Sequence, residues 1–335
     1  MTAHMFSSPF KALKIPDRPM KVKGLFTNAG RLCLVLIIAL LTASCAPSGN
    51  SAPMPTPSPR ALGIGNSAMP PSGKGATVIV AVSDVAVGKS RIAFAILDAE
   101  NHPITTPAAS VRAFPQDAPN RILESQARYR GEGLGDRGVY VTELQLDTPG
   151  LWALAVAILP PGQNEPIAGG AVFQVKPKSA TPSIGEQVPL SRNKTLKDVP
   201  RLEVITSDIA PDPALYQLTI AEAAKLGKPF VVVFATPAFC TSRTCGPVVD
   251  NVKEVKKRAG AKLNYIHVEI FDNPEELSKG SRDFRLSNAV TEWNLPSEPW
   301  VFIVDSQGRL AYKFEGPATV PELEEAVQRL LAREG

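Results

Sequence analysis

Between residues 76 and 177, hydrophobic and polar positions alternate with a period of two, the spacing that puts successive side chains on opposite faces of a β-strand. Val78, Val80 and Val82 show the alternation first. A polar, glycine-rich stretch over Arg128–Gly138 interrupts it, and Asp147–Gly150 has the composition of a turn. The predicted strands are Val78–Val82, Arg91–Asp98, Ala109–Phe114, Val139–Leu146, Leu151–Leu159 and Gly170–Val175.

From Leu218 onward the pattern changes to alternating helix and strand. Thr219 can cap a helix that Gly227 ends. Phe230–Ala235 is a continuous hydrophobic run, typical of a strand buried on both faces. The elements predicted after it are a helix with Val248, Val252 and Val255 on one stripe, a strand at Leu263–Phe271, a short helix near Val290–Trp293, a strand after Pro299, a strand at Leu310–Phe314 and a helix at Pro321–Leu331.

The two patterns predict two domains. Six or seven short strands separated by turns favour an all-β, immunoglobulin-like antiparallel sandwich over residues 76–177. The alternating half favours an α/β domain over residues 214–335, and residues 178–213, rich in Pro, Ser, Lys and Asp, are predicted to link the two. His102 falls in a polar turn of the first domain, so we expect a solvated loop residue and not a metal ligand.

Residues 1–44 have the organisation of a secretory signal peptide of the lipoprotein type. Positive charges precede Leu32–Ala43, a hydrophobic run shorter than the ~20 residues of a membrane span. Leu41–Cys45 is similar to a bacterial lipoprotein box, in which cleavage exposes Cys45 to receive lipid; the alternative is ordinary cleavage that leaves Cys45 as a free thiol. Residues 45–75 begin as an uncharged Pro-rich stretch, typical of an extended tether. The sequence therefore predicts a lipid-anchored protein on the exported side of the cell membrane.

Composition and charge exclude several classes of protein. The 335 residues are 44% hydrophobic and 20% charged, which excludes a mainly disordered chain, a collagen and a multi-span membrane protein. The net charge is +4, but residues 1–44 hold six basic residues and one acidic residue, so the remainder is −1. No concentrated basic surface remains there, and we expect no nucleic-acid partner.

The cysteines point to one pair. Cys33 lies inside the predicted signal and Cys45 at its end, so Cys240 and Cys245 remain, and an exported pair can be oxidised to a disulfide. Residues five apart on one helix are separated by about 7.5 Å, beyond the roughly 4.4–6.8 Å that a disulfide accepts. Cys240 must therefore precede the helix, with Cys245 at its N-terminus and Pro247 in its first turn.

Residues 200–335 resemble the thioredoxin-like (redoxin) family through several motifs in the same order. A hydrophobic strand ends in a Cys pair at the start of a helix, and Leu263 begins a strand that leads into Asp272–Pro274. Pro299 then directly precedes a buried strand, a hairpin and a terminal helix. The resemblance implies a thioredoxin-like fold.

The resemblance also implies where a substrate binds. In this family the proline before the buried strand is cis and faces the disulfide. This implies a substrate groove at Glu298, Pro299 and Trp300, with the backbone of Glu298 placed to pair with a bound polypeptide. Trp300 is also compatible with a role in packing.

The sequence departs from the family pattern around the cysteines. Four residues separate them where two are usual, and Phe239 occupies the place of a tryptophan. Val231–Val233 fill the region where a buried acid often lies in the preceding strand. His267 and Glu269, on one face of the next strand, are candidates to accept a proton in its place; the alternative is a hydrogen-bonded polar pair that packs the domain.

The roles of the two cysteines stay open at the sequence level. Position in the family assigns attack to Cys240 and resolution to Cys245. The positive end of the helix dipole, helped by Arg243, would favour a thiolate at Cys245 instead.

The main functional hypothesis is an envelope-anchored thiol-disulfide oxidoreductase. Cys240 and Cys245 would exchange disulfides with protein or small-thiol clients, with a redox donor in the envelope and with neither a cofactor nor a metal. The alternative is a non-catalytic envelope binding protein whose Cys240–Cys245 disulfide is structural. Copper delivery would want two thiolates and a nearby histidine at another spacing, and the residues around Cys240 lack peroxidatic spacing.

Overall fold

The computed structural model describes residues 75–335. The predicted signal peptide, Cys45 and the tether up to residue 74 lie outside the described residues. Within 75–335, none of the helices combines the length and the hydrophobicity that crossing a membrane requires.

Seven strands form a closed barrel in the first part of the described chain. Their order around the barrel is β1-β2-β5-β4-β3-β6-β7, and β1 closes it by pairing in parallel with β7. The hydrophobic core inside includes Phe94, stacked on Tyr140 at 5.6 Å, and Trp152. The strands are β1 (Ala76–Val80), β2 (Gly88–Leu97), β3 (Ala108–Pro115), β4 (Leu123–Arg130), β5 (Val139–Leu146), β6 (Gly150–Ile158) and β7 (Ile167–Val175).

The predicted immunoglobulin-like sandwich is wrong, and β4 is the main reason. β4 alternates only weakly: Leu123, Ala127 and Tyr129 pack on the barrel core with polar residues between them, but only Ala127 is fully buried and Ser125 interrupts the hydrophobic positions. It pairs with β3 along most of its length and with β5 through Arg128–Arg130, so it joins two groups of strands into one continuous sheet. At the closing seam, a Cβ on Gly169 would collide with the carbonyl oxygen of Ala76, so glycine permits the close approach of β1 and β7.

A four-stranded sheet with helices on both faces forms the second part. The strand order is β11-β10-β8-β9, with β9 parallel to β8, and with β10 antiparallel to both β8 and β11. This topology is that of the thioredoxin-like fold. The strands are β8 (Phe230–Ala235), β9 (Asn264–Glu269), β10 (Trp300–Val304) and β11 (Leu310–Glu315), and the helices are α1 (Ile220–Ala223), α2 (Cys245–Ala259), α3 (Pro274–Ser278), α4 (Asn288–Glu292) and α5 (Val320–Glu334).

Several local predictions for this half are confirmed. β8 has the predicted limits and is buried on both faces. Thr219 caps α1 by accepting a hydrogen bond from the backbone N–H of Glu222, whose carboxylate accepts one from the backbone of Thr219 in return. Each face of β8 therefore contributes to its own core: α2 and α5 cover one face, and α1, α4 and Trp293 cover the other.

Residues 178–213 pack against the sheet. Gly185 donates its backbone N–H to the carbonyl oxygen of Leu310 at 2.7 Å, and Leu310 donates to that of Glu186 at 2.9 Å. Further along, Ile205 is buried in the core that α2 and α5 cover. The segment thus extends the edge of the sheet beside β11.

Asp84, in the turn between β1 and β2, also binds this segment. Its buried carboxylate accepts hydrogen bonds from the backbone N–H groups of Ala180 and Thr181, from the hydroxyls of Ser179 and Thr181, and from Lys176 at 3.0 Å. Burial alone would raise the pKa of this carboxyl, but the hydrogen bonds, led by that of Ser179, outweigh it and hold the pKa well below its usual range.

A loop of the barrel reaches into the core of the sheet. Leu134, between β4 and β5, is 1% exposed and belongs to the core around α2. Nearby, the Asn251 side chain of α2 donates to the carbonyl oxygen of Ala318 at 2.9 Å. The barrel therefore supplies part of the hydrophobic core of its neighbour.

Arg91 on β2 forms a buried ion pair with Glu322 on α5. The Nε–Oε1 distance is 3.1 Å, with side chains 12% and 7% exposed. Arg91 also donates to the carbonyl oxygens of Glu315 and Pro317, at 3.1 and 2.7 Å. Nearly all hydrogen bonds of its guanidinium therefore go to residues of the second half of the chain.

We expect Arg91→Ala to lower the free energy of unfolding by about 3 kcal/mol, because it leaves the Glu322 carboxylate buried without its partner. Arg112→Ala is the matched control, since Arg112 pairs with Glu124 between exposed side chains of the same barrel; its expected cost is under ~1 kcal/mol. Urea unfolding of both variants measures the difference. Equal losses would show that the Arg91 pair does not join the two halves.

Candidate functional site: the Cys240–Cys245 disulfide

The disulfide lies where β8 ends and α2 begins. Cys240 follows β8 in a short loop, and Cys245 is the first residue of α2, as the spacing predicts. The two sulfurs are bonded, and the Cα atoms are 6.0 Å apart. The loop thus brings to the N-terminus of α2 a pair that one continuous helix would have kept apart.

The two cysteines differ in exposure. Cys240 is 7% exposed, whereas Cys245 is fully buried. The Cys240 Sγ lies 3.2 Å from the hydroxyl of Ser242, which in turn lies 2.7 Å from the hydroxyl of Thr244. An incoming thiol or disulfide therefore meets Cys240 first, beside a hydroxyl that can donate to a thiolate.

Arg243 turns the chain between the cysteines. It has φ 58°, in the left-handed region that favours glycine, and its backbone N–H donates to the carbonyl oxygen of Cys240 at 3.1 Å. Its side chain is exposed. The local structure thus gives Arg243 a backbone role in shaping the loop, beside the electrostatic role that the sequence predicts.

Glu298 places a carboxylate beside the disulfide. One oxygen of its carboxylate and the sulfurs of Cys240 and Cys245 all lie within 4.8 Å of one another. One oxygen accepts a hydrogen bond from the backbone N–H of Thr236, while Oε2 is buried without a hydrogen-bond partner among residues 75–335. Burial, followed by the charge of Glu269, raises the pKa of Glu298 to about 8.

The structure places His267 and Glu269 in polar networks of their own. The His267 Nε2–H donates to the carbonyl oxygen of Ala235 at 3.1 Å, so in the neutral ring Nδ1 accepts from the Tyr216 hydroxyl at 2.7 Å. Burial lowers the pKa of His267 to about 4. Glu269 accepts from the backbone and hydroxyl of Ser207, and burial raises its pKa. Neither side chain belongs to the group that Glu298 forms with the two sulfurs.

The other predicted site residues are placed as follows. The Glu298–Pro299 peptide bond is cis, as the resemblance implies, and Pro299 is buried. Trp300 is 1% exposed, stacks on Phe302 at 5.3 Å and donates its indole N–H to Ser297, so it packs the sheet and offers almost no surface to a substrate. Phe239 is half-buried, with its ring edge-on to that of Phe271 at 6.3 Å.

The side chain of Glu298 is the functional group that sequence reasoning missed. The resemblance assigns a role to its backbone only, and its distance along the chain from the cysteines hides the contact. Its position directly before Pro299 was the one available signal, because that proline is expected to face the disulfide. Once the disulfide is reduced, the same three side chains offer two thiolates and a carboxylate, ligand types that bind Zn²⁺.

The sheet order and the disulfide at the start of α2 define a thioredoxin-like domain with a redox-capable cysteine pair. No family model and no curated protein matches the chain. Among solved structures, a DsbF homologue from Corynebacterium diphtheriae is similar at 16% identity over 45% of this chain and 91% of that chain, with a TM-score of 0.31. A thiol:disulfide interchange protein of the thioredoxin family from Chlorobium tepidum TLS is similar at 12% identity over 38% and 97%, with a TM-score of 0.27.

Proposed function

We propose that the protein is a thiol-disulfide oxidoreductase that works through Cys240 and Cys245. The observation that carries the proposal is the asymmetry of the pair: Cys240 keeps a small exposed fraction, Cys245 is fully buried at a helix N-terminus, and the Glu298 carboxylate, whose Oε2 has no hydrogen-bond partner among residues 75–335, lies beside both sulfurs. A nucleophile, a resolving thiol and a proton acceptor are the groups that dithiol exchange needs.

The reaction follows from this arrangement. In the reduced protein the Cys240 thiolate attacks a client disulfide, forms a mixed disulfide and releases one client sulfur as a thiolate. The Cys245 thiolate then attacks the Cys240 sulfur, closes the internal disulfide and releases the second client sulfur. Two electrons pass to the client, and the reverse sequence oxidises a client dithiol.

Glu298 is suited to accept the proton of Cys245. A raised pKa of about 8 is close to that of a free thiol, about 8.5, so a proton can pass between the two groups in either direction. The N-terminus of α2 stabilises the Cys245 thiolate that remains. Glu298 would thus supply the acid that the strand before the cysteines lacks.

Anchoring and partners belong to the same proposal. The signal-like residues 1–44 and the lipoprotein-like Cys45 support an exported, lipid-anchored protein, with protein or small-molecule thiols and a redox donor of the envelope as partners. Lipid on Cys45, found by mass spectrometry of the mature N-terminal peptide, is the expected result. An unmodified Cys45 would remove the anchor from the proposal.

The reduction potential of the pair tests the proposed activity. The protein would be equilibrated in graded thiol buffers, and its free thiols would be alkylated and counted by mass spectrometry. We expect a value between about −270 and −120 mV, the range of exchange proteins. Such a value would make the disulfide chemically available to clients.

One observation favours a second function, a non-catalytic binding protein with a structural disulfide. Both cysteines are at least nine-tenths buried, which protects a bond from thiols in solution. A potential below about −300 mV, or a bond that resists thiols until the protein unfolds, would support this alternative and contradict the oxidoreductase.

A further inference from the structure

A cavity of about 290 Å³ separates the barrel from the cysteine loop. One wall is the outer surface of strands β1 and β2, including Ile79, Ala95 and Leu97. The other wall includes Ser242 and Glu298. The barrel therefore lies across the cavity from Glu298 and the cysteine loop.

The barrel wall is hydrophobic where an outer surface is usually polar. In β1 the buried residues Ala76, Val78 and Val80 point into the barrel, so Ile79 points outward. Ile79 pairs with Ala95 on β2, and Leu97 lies two residues further along the same face. Since the barrel core does not need these side chains, their hydrophobic surface is available to line the cavity.

The opposite wall brings the cavity next to the reactive sulfurs. Ser242 Oγ lies 3.2 Å from Cys240 Sγ, and the Glu298 carboxylate is within 4.8 Å of both sulfurs. A molecule in the cavity is therefore one side chain away from the disulfide. The cysteines themselves do not line the cavity, so a substrate would keep its hydrophobic part there and extend its sulfur past Ser242 to Cys240.

The charges around the cavity disfavour anions. Three carboxyls and one basic residue line it: Asp136 is paired with Arg137 at 3.3 Å, and the raised pKa of Glu298 keeps that side chain largely neutral near pH 7, so Glu315 is the acidic residue that neither effect offsets. The Glu315 carboxylate accepts hydrogen bonds from the backbone N–H groups of Ser83 and Asp84 and from the Ser297 hydroxyl, and no cationic side chain among residues 75–335 forms an ion pair with it. Carboxylate-bearing thiols would meet repulsion at this wall.

We propose that the cavity binds the hydrophobic part of a small, uncharged disulfide or thiol, and that the barrel thereby selects the substrate of the redox centre. The cavity volume is at the lower end of the range for small-molecule sites, about 300–1,000 Å³, so the substrate must be a small molecule. The inference rests on the proposed function.

The covalent step is the exchange written above: the substrate disulfide gains two electrons and leaves as two thiols, and Cys240 and Cys245 become the disulfide.

Two aromatic disulfides, one neutral and one anionic, test whether the cavity selects uncharged substrates. Reduced protein would be mixed with neutral 2,2′-dithiodipyridine or with the dianion 5,5′-dithiobis(2-nitrobenzoate), and released chromophore would be followed by absorbance. Ile79→Ser is expected to slow the neutral probe about tenfold, which corresponds to ~1.4 kcal/mol of lost hydrophobic contact, and to change the anionic probe less than about twofold. Ala95→Leu, which narrows the cavity without adding polarity, is expected to slow the neutral probe as well.

Leu151→Ser is the matched control, because Leu151 is a half-exposed hydrophobic residue on β6 outside the cavity lining. Thermal unfolding of every variant establishes that it is folded. If Ile79→Ser and Leu151→Ser affect the neutral probe equally while Cys240 still reacts, the cavity does not select substrates although the proposed function stands. If Cys240 reacts with neither probe, the proposed function fails, and this inference fails with it.

Discussion

Cys245→Ser is expected to lower multiple-turnover exchange by at least ~100-fold and to accumulate a mixed disulfide between Cys240 and its client. The variant keeps Cys240, the more exposed of the two cysteines, and removes the fully buried Cys245, whose sulfur resolves the intermediate in the proposed reaction. Serine retains the size of the side chain and its place at the first turn of α2, so the loop should stay folded. Non-reducing electrophoresis and intact mass spectrometry would detect the adduct.

Cys240→Ser is the matched control for this trap. It leaves Cys245 fully buried, so we expect neither turnover nor a client adduct. The opposite pattern, an adduct on Cys245 and none on Cys240, would reverse the assigned roles. It would also mean that the helix N-terminus decides reactivity here more than exposure does.

Glu298→Gln is expected to slow release of the client from the mixed disulfide by about 100-fold, since a positioned proton acceptor typically contributes about 10²–10⁴-fold. In the unsubstituted protein the release rate should rise with pH until Glu298 is ionised, near its pKa of about 8. Glutamine cannot titrate, so the release rate of the variant should lose the rise with pH that comes from the ionisation of Glu298. Rapid-mixing measurements of client release from about pH 6 to about pH 9, a range that brackets the pKa of Glu298, give the profile.

The same substitution has a stability readout of defined sign. A carboxyl whose pKa is raised on folding stabilises the folded state least when it is ionised, so stability should fall as pH rises from the unfolded value, ~4.3, toward about 8. Glu298→Gln should reduce this fall and leave the part that comes from Glu269, whose pKa burial also raises, whereas Glu143→Gln, at an exposed ion pair, should retain the whole fall. A variant with an unchanged release profile but a changed stability profile would make Glu298 a buried acid without a part in exchange.

Patterns of burial explain which elements were predictable. Phe230–Ala235 is buried on both faces by helices of the same domain, so its composition alone identifies β8. β4 pairs with β3 and β5, its neighbours along the chain, but it is half exposed and largely polar, so its hydrophobic alternation is too weak to identify it as a strand. Without β4, the remaining strands suggested two sheets where the chain forms one.

The position of the disulfide was predictable from the sequence, whereas the carboxylate beside it was not. The disulfide and its position before α2 follow from spacing and helix geometry. The carboxylate of Glu298 reaches the sulfurs only because β8 and β10 pair within the sheet, a long-range contact that no spacing encodes. The hydrophobic outer face at Ile79 and Ala95 was likewise hidden, because alternation alone does not reveal which apolar side chains fall outside a barrel.

Leu134 bears on which shortened forms of the protein would fold. Independent folding is the ordinary expectation for two modules joined by a linker. Here, removal of residues 75–177 would take Leu134 from the core around α2 and leave the carboxylates of Glu315 and Glu322 without Ser83 and Arg91. We therefore expect the barrel and the sheet to unfold as one cooperative unit, and a truncated protein that keeps only the cysteine-bearing half would expose part of its own interior.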